Sequence, residues 1–202
     1  MLHDIGRFEQ LRRYGTFSDA LSIDHAQFGT SLLFDQETGL LAEYVEVSPE
    51  EPEYHIIRKA IWNHSAFRVE EGLDERTMMF CHILRDADKV DILKVNYEIP
   101  LEIIYNTTTE EIRNAEVTEA VMKQFLECHA ILRSVKKTPI DHVVGHSALV
   151  FELVYPESYR IVEEQGYLWK ILALDSDNPK TRDQFEVLRG CMREFLDNMK
   201  KI

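Results

Sequence analysis

Hydrophobic residues recur at helical spacing along most of the chain, whereas the alternation typical of β-strands is hard to find. Glycine (8 residues) and proline (6 residues) stand mostly between the periodic segments. The pattern therefore predicts an all-α protein. A polar break at residues 106–109 predicts a soft boundary between a core region, 1–105, and a C-terminal helical region, 106–202, packed on it.

Three predicted helices in the first half carry a polar residue within an otherwise apolar stripe. Asp24 is a suitable N-cap for the first of them, whose stripe begins with His25. His64 closes the stripe of the second helix, and Asp88 lies in the middle of the third. A carboxylate in such a position is costly to bury without a partner, so we expect Asp88 to have one. The helices are predicted from His25 to about Phe34, from after Pro49 to about Phe67, and from after Gly72 past Val95.

Further amphipathic helices are expected in the C-terminal region, each preceded by a polar or proline-containing break. They are predicted at about Val117 to Arg133, Pro139 to Val154, Ser158 to Leu174 and Pro179 to Lys201. His142 and His146 lie one helical turn apart on the second of these, without the glutamate of a zinc-protease motif. We expect both to pack against the domain or to cap a turn.

The charge of the chain excludes several classes of partner. A formal net charge of −13 and a pI near 5.0 argue against a nucleic-acid duplex or an anionic membrane surface. A phosphorylated small-molecule substrate would require bound divalent metal to overcome that field. The cysteines, Cys81, Cys128 and Cys191, are odd in number and widely spaced, which favours reduced thiols and a cytoplasmic location.

Four short segments carry residue types that bind metal ions. His3 and Asp4 are adjacent, about 100° apart around a helix axis, so both side chains can lean toward one cation. Together the segments resemble the HD superfamily of metal-dependent phosphohydrolases. The similar segments are His3-Asp4-Ile5-Gly6-Arg7, His25-Ala26-Gln27-Phe28-Gly29, Ala60-Ile61-Trp62-Asn63-His64 and Ala87-Asp88-Lys89-Val90.

The resemblance implies a helical HD-domain bundle that binds one or two divalent ions, with Mn, Fe, Ni, Zn and Mg all compatible. His3, Asp4 and Asp88 would hold the first ion, and His25 and His64 the second, with Asp4 bridging. Asp4 and Asp88 are thereby the predicted catalytic residues. A bound metal lowers the pKa of water from 15.7 toward about 7 and so supplies hydroxide at neutral pH. The candidate phosphate-binding cations are Arg7, Lys59 and Lys89.

Two departures from the family pattern qualify this expectation. Family members carry another metal-binding histidine on a helix before the HD pair, so we expect the chain to lack its first helices and the natural protein to start upstream of Met1. Ser65-Ala66-Phe67-Arg68 stands where cyclic di-GMP phosphodiesterases have Gly-Tyr-Pro, which disfavours that activity. The expected substrate is a phosphate ester, a nucleotide or a dinucleoside polyphosphate. The alternative is a non-catalytic nucleotide-sensing or scaffold protein with a degenerate HD site.

Each of these residues also has a purely structural interpretation. Taken alone, His25 and His64 are typical of core or capping histidines, and Asp88 of a buried ion-pair partner for Arg85 or Arg58. Lys59 is typical of a solvated basic side chain. The combination and order of the segments favour the metal site.

Overall fold

The computed structural model describes residues 2–35, 37 and 39–201. Their regular structure consists of α-helices and short 3-10 turns, without a β-strand. The predicted all-α class is confirmed. The chain divides into two compact units, Met1–Arg85 and Asp86–Ile202. The predicted boundary near residue 106 coincides with a break between two helices, at Asn106.

The described residues of the first unit form three complete α-helices and the beginning of a fourth. Asp24 caps the second helix as predicted, because its side chain accepts a hydrogen bond from the backbone N–H of Gln27 at 2.9 Å. Gly15 ends the first helix in the left-handed region, at φ 67°. The helices are α1 (Ile5–Tyr14), α2 (His25–Phe34), α3 (Pro52–Asn63) and α4 (Glu75–Glu98), and the division into units falls within α4.

The end of α3 differs from the prediction of a helix that continues to Phe67. The helix ends at Asn63, and His64 occupies the C-cap position. Local side-chain bonds favour this ending: the amide of Asn63 donates to the Lys59 carbonyl at 2.9 Å, and its oxygen accepts from the backbone of Glu70 at 2.9 Å. The residues after His64 thus form a turn.

Up to residue 201, the second unit contains the rest of α4 and seven further α-helices. Two of the predicted long helices are wrong in extent, because residues with positive φ interrupt them: Gly166 (φ 68°) separates α9 from α10, and Cys128 (φ 56°) follows the end of α7. A third is shorter than predicted, since α8 passes into a 3-10 turn at Ala148–Glu152. The helices are α5 (Leu101–Tyr105), α6 (Thr109–Asn114), α7 (Glu119–Leu126), α8 (Pro139–Ser147), α9 (Pro156–Gln165), α10 (Tyr167–Leu172) and α11 (Pro179–Met199).

The buried face of α4 also differs from the predicted stripe. Val95, which lies seven residues after Asp88 and was expected to share its stripe, is 42% exposed, and Asp88 is half-buried. The carboxylate that α4 buries is that of Asp86, which accepts hydrogen bonds from the backbone N–H groups of Val154 and Tyr155 and from the hydroxyl of Ser158 at 2.7 Å. A buried carboxylate satisfied by backbone and hydroxyl donors therefore fixes α4 to the start of α9 within the second unit.

Candidate metal centre

A close crossing of α1 and α2 brings the HD pair beside the next predicted ligand. A β-carbon on Gly6 would lie 2.3 Å from the carbonyl oxygen of His25, and one on Gly29 would lie 3.0 Å from the backbone nitrogen of Gly6. Only glycine permits such an approach of two backbones. Gly6 and Gly29 therefore allow the close helix crossing that places His25 next to Asp4.

Four of the five predicted ligands, His3, Asp4, His25 and His64, lie together in the first unit. The Nε2 atom of His3 lies 3.3 Å from Asp4 Oδ2, and the Nε2 atoms of His25 and His64 lie 3.4 and 3.7 Å from Asp4 Oδ1. The ring of His64 is centred 4.9 Å from that of His3 and 5.0 Å from that of His25. The side chains of His25 and His64 are 5% and 1% exposed, whereas that of Asp4 is 42% exposed. The cluster thus opens to solvent on its Asp4 side.

Hydrogen bonds on the far side of two rings fix their tautomers. His25 Nδ1 lies 2.8 Å from Asp19 Oδ2, and His64 Nδ1 lies 2.7 Å from the carbonyl oxygen of Ile61. Both partners are acceptors, so each Nδ1 carries the proton and each neutral ring has its lone pair on Nε2.

These two Nε2 atoms face each other at 3.1 Å, and both approach a carboxylate oxygen of Asp4. Three acceptor atoms meet there, so either an extra proton or a cation must lie among them. Two imidazole nitrogens bound to one cation at about 2.0–2.1 Å would stand about 3.0–3.4 Å apart. The observed spacing matches that of a pair of metal ligands.

The charge state of Asp4 suits a ligand. Burial disfavours its charged form. When the imidazoles carry the extra proton, hydrogen bonds with His3 and His64 and the charge of His3 and His25 outweigh burial and hold the pKa of Asp4 far below its usual range. Asp4 is therefore a carboxylate at any physiological pH and a weak proton acceptor.

A hydrogen-bond network that the sequence pattern did not indicate supports His25. Asp19 accepts hydrogen bonds from Arg7 Nη1 and from Gln10 Nε2, both at 2.9 Å. Gln10 is fully buried, and its Nε2 also lies 2.9 Å from the carbonyl oxygen of Ile23. Burial opposes the charged form of Asp19, but bonds to His25 and Gln10 and the charges of His25 and Arg7 lower its pKa. Such a carboxylate behind a histidine orients the ring and increases its basicity.

Arg85 performs a similar task for His64. Its Nη1 donates to the backbone carbonyls of Asn63 at 2.7 Å, of His64 at 3.3 Å and of Ala66 at 2.5 Å. The side chain is buried, and these carbonyls belong to the end of α3 and the turn after it. Arg85 thereby fixes the backbone that carries His64.

The remaining predicted site residues have other contacts. Arg7 lies beside the cluster, 3.7 Å from Asp4, but its guanidinium is bonded to Asp19 and to the Phe17 carbonyl. Lys59 pairs with Glu70 at 2.5 Å. Asp88 and Lys89 belong to the second unit, where the ammonium of Lys89 donates to the carbonyl of Glu152 at 3.2 Å. Their roles in a site stay predictions.

The fold and the cluster together describe an all-α protein with a compact group of metal-ligand side chains, in which the ligand atoms of His3, Asp4 and His64 all lie within 4.8 Å of one another. Within the described part of the chain, no helix combines the length and apolar character that crossing a membrane demands. No family model matches the chain, and no curated protein or solved structure matches it either. The physical character of the site is the remaining guide to its function.

Proposed function

We propose that this chain is a metal-dependent phosphohydrolase of the HD superfamily. The observation that supports the proposal most directly is the convergence of the His25 and His64 lone pairs on Asp4. A group of acceptors without a donor is unfavourable in a metal-free, neutral site and favourable around a cation.

The donor set bears on the identity of the ion. Imidazole nitrogen from His3, His25 and His64 with one carboxylate suits Zn, Fe, Ni or Mn better than Mg, which prefers oxygen ligands. The four side chains that lie together in the first unit would suffice for one ion. In the two-ion form of the sequence prediction, Asp88 joins His3 and Asp4 on the first ion, and His25 and His64 hold the second. A bound divalent ion would polarise a phosphoryl oxygen and acidify a water molecule.

The residues of the chain would contribute positioning and charge. Asp4 presents its exposed side to solvent, so a phosphate group can approach from there, and Arg7 places positive charge at that edge. The low pKa of Asp4 makes it a ligand and a hydrogen-bond acceptor for water, and a poor general base. The Asp19 carboxylate would hold the His25 ring in the required tautomer throughout turnover.

The proposal is tested by metal content and hydrolysis measured on the same protein. We expect the purified chain to bind Mn, Fe, Ni or Zn, and the loaded protein to hydrolyse an aryl phosphate, a mononucleotide or a dinucleoside polyphosphate. His64→Ala removes a ligand and should abolish both properties. His55→Ala changes an exposed histidine on the same helix and is the matched control.

The outcomes separate the two functions derived from the sequence. Metal binding lost only in His64→Ala, together with hydrolysis, supports the hydrolase. Metal and nucleotide binding without turnover of any of the three substrates would favour the nucleotide-sensing alternative. Equal metal binding by His64→Ala and the unchanged chain would overturn the site itself.

A further inference from the structure

A second group of basic side chains lies in the second unit, on one face of α8. His142, Gly145 and His146 are spaced i, i+3 and i+4 and so share that face. The end of the Lys136 side chain lies over Gly145: a β-carbon there would be 2.4 Å from Nζ and 2.5 Å from Cε. The absence of a side chain at residue 145 is what lets the ammonium rest against the helix.

Among the described residues, the cations of this group form no direct ion pair. Within residues 2–35, 37 and 39–201, neither the Lys136 ammonium nor the Arg133 guanidinium contacts a carboxylate or another hydrogen-bond acceptor. Asp141 is the nearby acid, and its oxygens already accept from the backbone N–H groups of Thr118 and Lys137 at 2.9 and 2.8 Å. Asp141 is therefore occupied in capping α8.

The positive charges of Lys136 and Arg133 also affect the pKa values of the two imidazoles. Burial, and then the charge of Lys136, lower the pKa of His142, and the same causes lower that of His146 to about 3. Burial and the charge of Arg133 also lower the pKa of Lys136. The charge of Asp141 opposes these shifts at Lys136 and His142 but does not outweigh them. A chain with a net charge of −13 thus contains, within its described residues, a local group of cations without a directly paired carboxylate.

Tyr105 and Asn96 border the group on one side. Tyr105 packs against both imidazoles, with ring centres 6.0 Å from His142 and 5.6 Å from His146. His146 Nδ1 lies 2.7 Å from the Asn96 side-chain oxygen and 2.7 Å from the Tyr105 hydroxyl. These contacts fix His146 as structural and leave Lys136, Arg133 and His142 as the groups that can receive a ligand.

We propose that Lys136, Arg133 and His142 bind the phosphate group of a small molecule on the face of α8. Two cations and an imidazole donor match a dianion with several acceptor oxygens better than a monoanionic carboxylate. A partly desolvated ammonium without a directly paired acceptor is unfavourable, and a bound phosphate would supply that acceptor. The site uses no residue of the candidate metal centre, so it stands or fails independently of the proposed hydrolysis.

Inorganic phosphate is the probe, added to the full chain in the presence of a metal chelator so that the metal centre makes no contribution. Calorimetric titration should show saturable binding in the unchanged protein, with little response to acetate at matched ionic strength. Lys136→Met should weaken phosphate binding about tenfold or more, as expected for loss of a charged hydrogen-bond donor. Lys137→Met alters the exposed neighbouring lysine and should bind phosphate as the unchanged chain does.

Two further measurements separate binding from folding. Without phosphate, Lys136→Met should melt at the same temperature as the unchanged chain or higher, because it removes an uncompensated cation. Gly145→Ala should also weaken binding, since the added methyl displaces the lysine tip. No saturable binding, equal loss in Lys136→Met and Lys137→Met, or an equal response to acetate would each overturn the proposal.

Discussion

The two compact units differ in what fills their interiors. The second unit encloses a large apolar cluster to which α4, α6 and all later helices contribute, including Phe125 and Met192 at 0% exposure. The apolar cluster of the first unit is small, and fully buried Gln10 and the buried His25 lie in the same unit. The residues of that small cluster are Leu33, Phe34, Leu41 and Ile61.

The contrast shows how two units of one chain obtain their stability differently. Burial of apolar surface contributes about 25 cal/mol per Å², so the large apolar cluster is the main source of stability in the second unit. In the first unit, the small apolar cluster is accompanied by a polar network that reaches from Gln10 and Asp19 through His25 to Asp4. We therefore expect its stability to depend on a bound cation, through the mass-action coupling of ligand binding and folding.

The largest expected effect comes from the apolar core of the second unit. Phe125 is fully buried, and its ring packs edge-on against Phe151 at 4.9 Å between centres. Phe125→Ala should lower the free energy of unfolding by about 3–5 kcal/mol, from lost burial and the cavity left behind. Urea unfolding measures the loss. Phe8→Ala, at a position 77% exposed, is the matched control and should change little; equal effects would refute the described core.

A second effect distinguishes the cysteines of the two units. Cys128 Sγ and Cys191 Sγ lie 3.8 Å apart in the second unit, whereas Cys81 is buried in the first. Oxidised glutathione should convert the pair to a disulfide: Cys128 attacks the reagent and releases one glutathione, and Cys191 then displaces the second from Cys128. Because burial raises the pKa of Cys191 to about 12, the second step should be slow at neutral pH.

The expected product has lost two hydrogen atoms and contains one free thiol, at Cys81. Closing a loop between residues 63 positions apart should stabilise the second unit by about 2–4 kcal/mol. Peptide mapping by mass spectrometry identifies the pair. Glutathione retained at Cys128 without ring closure, or a disulfide that involves Cys81, would contradict the described geometry.

A smaller effect sharpens the role of the polar network in the first unit. Asp19→Asn keeps the shape of the side chain but removes the charge behind His25, so metal affinity should fall about 10- to 100-fold. Asp24→Asn is the matched control, because asparagine caps helices as well as aspartate does and α2 should be unaffected. Isothermal titration with Zn or Mn measures both variants. Equal affinities would show that Asp19 does not support the site.

The smallest effect is a pH dependence that originates in the second unit. The folded-state pKa of His146, about 3, lies below its unfolded value, so the unfolded chain binds more protons between these limits. The contribution of His146 is complete above pH 6.5 and is lost as the pH falls toward 3, by about 1 kcal/mol between pH 6 and 5. After burial, the charges that lower the pKa of His146 are those of Lys136, His142 in its protonated form, and Arg133.

Unfolding in phosphate-free buffer tests this dependence, with His146→Gln as the comparison. The variant should show a shallower decline below pH 6.5. A folded-state titration of the His146 ring near pH 6.5, followed by NMR, would contradict the predicted direction.

The sequence by itself determined the helical class and much of the local structure. Thr138 before Pro139 and Asp24 before His25 mark helix starts because capping depends on residues within one turn. Periodicity also identified His25 and His64 as polar residues on apolar faces, and the structure brings them to 3.1 Å from each other. Gly166 is a possible helix end in the sequence, but only the structure shows that it adopts the left-handed conformation that separates α9 from α10.

Only the tertiary structure decided which faces meet. Asp19, Gln10 and Arg85 lie at no periodic position relative to the histidines they support, and their bonds reach up to 22 residues along the chain. Likewise, Asp86 and not Asp88 became the buried carboxylate of α4, because donors near residue 154 approach that side of the helix. The helical repeat in the sequence predicts which side of a helix is buried, with an error of about one residue. It does not predict which distant segment packs against that side, because that depends on the tertiary fold.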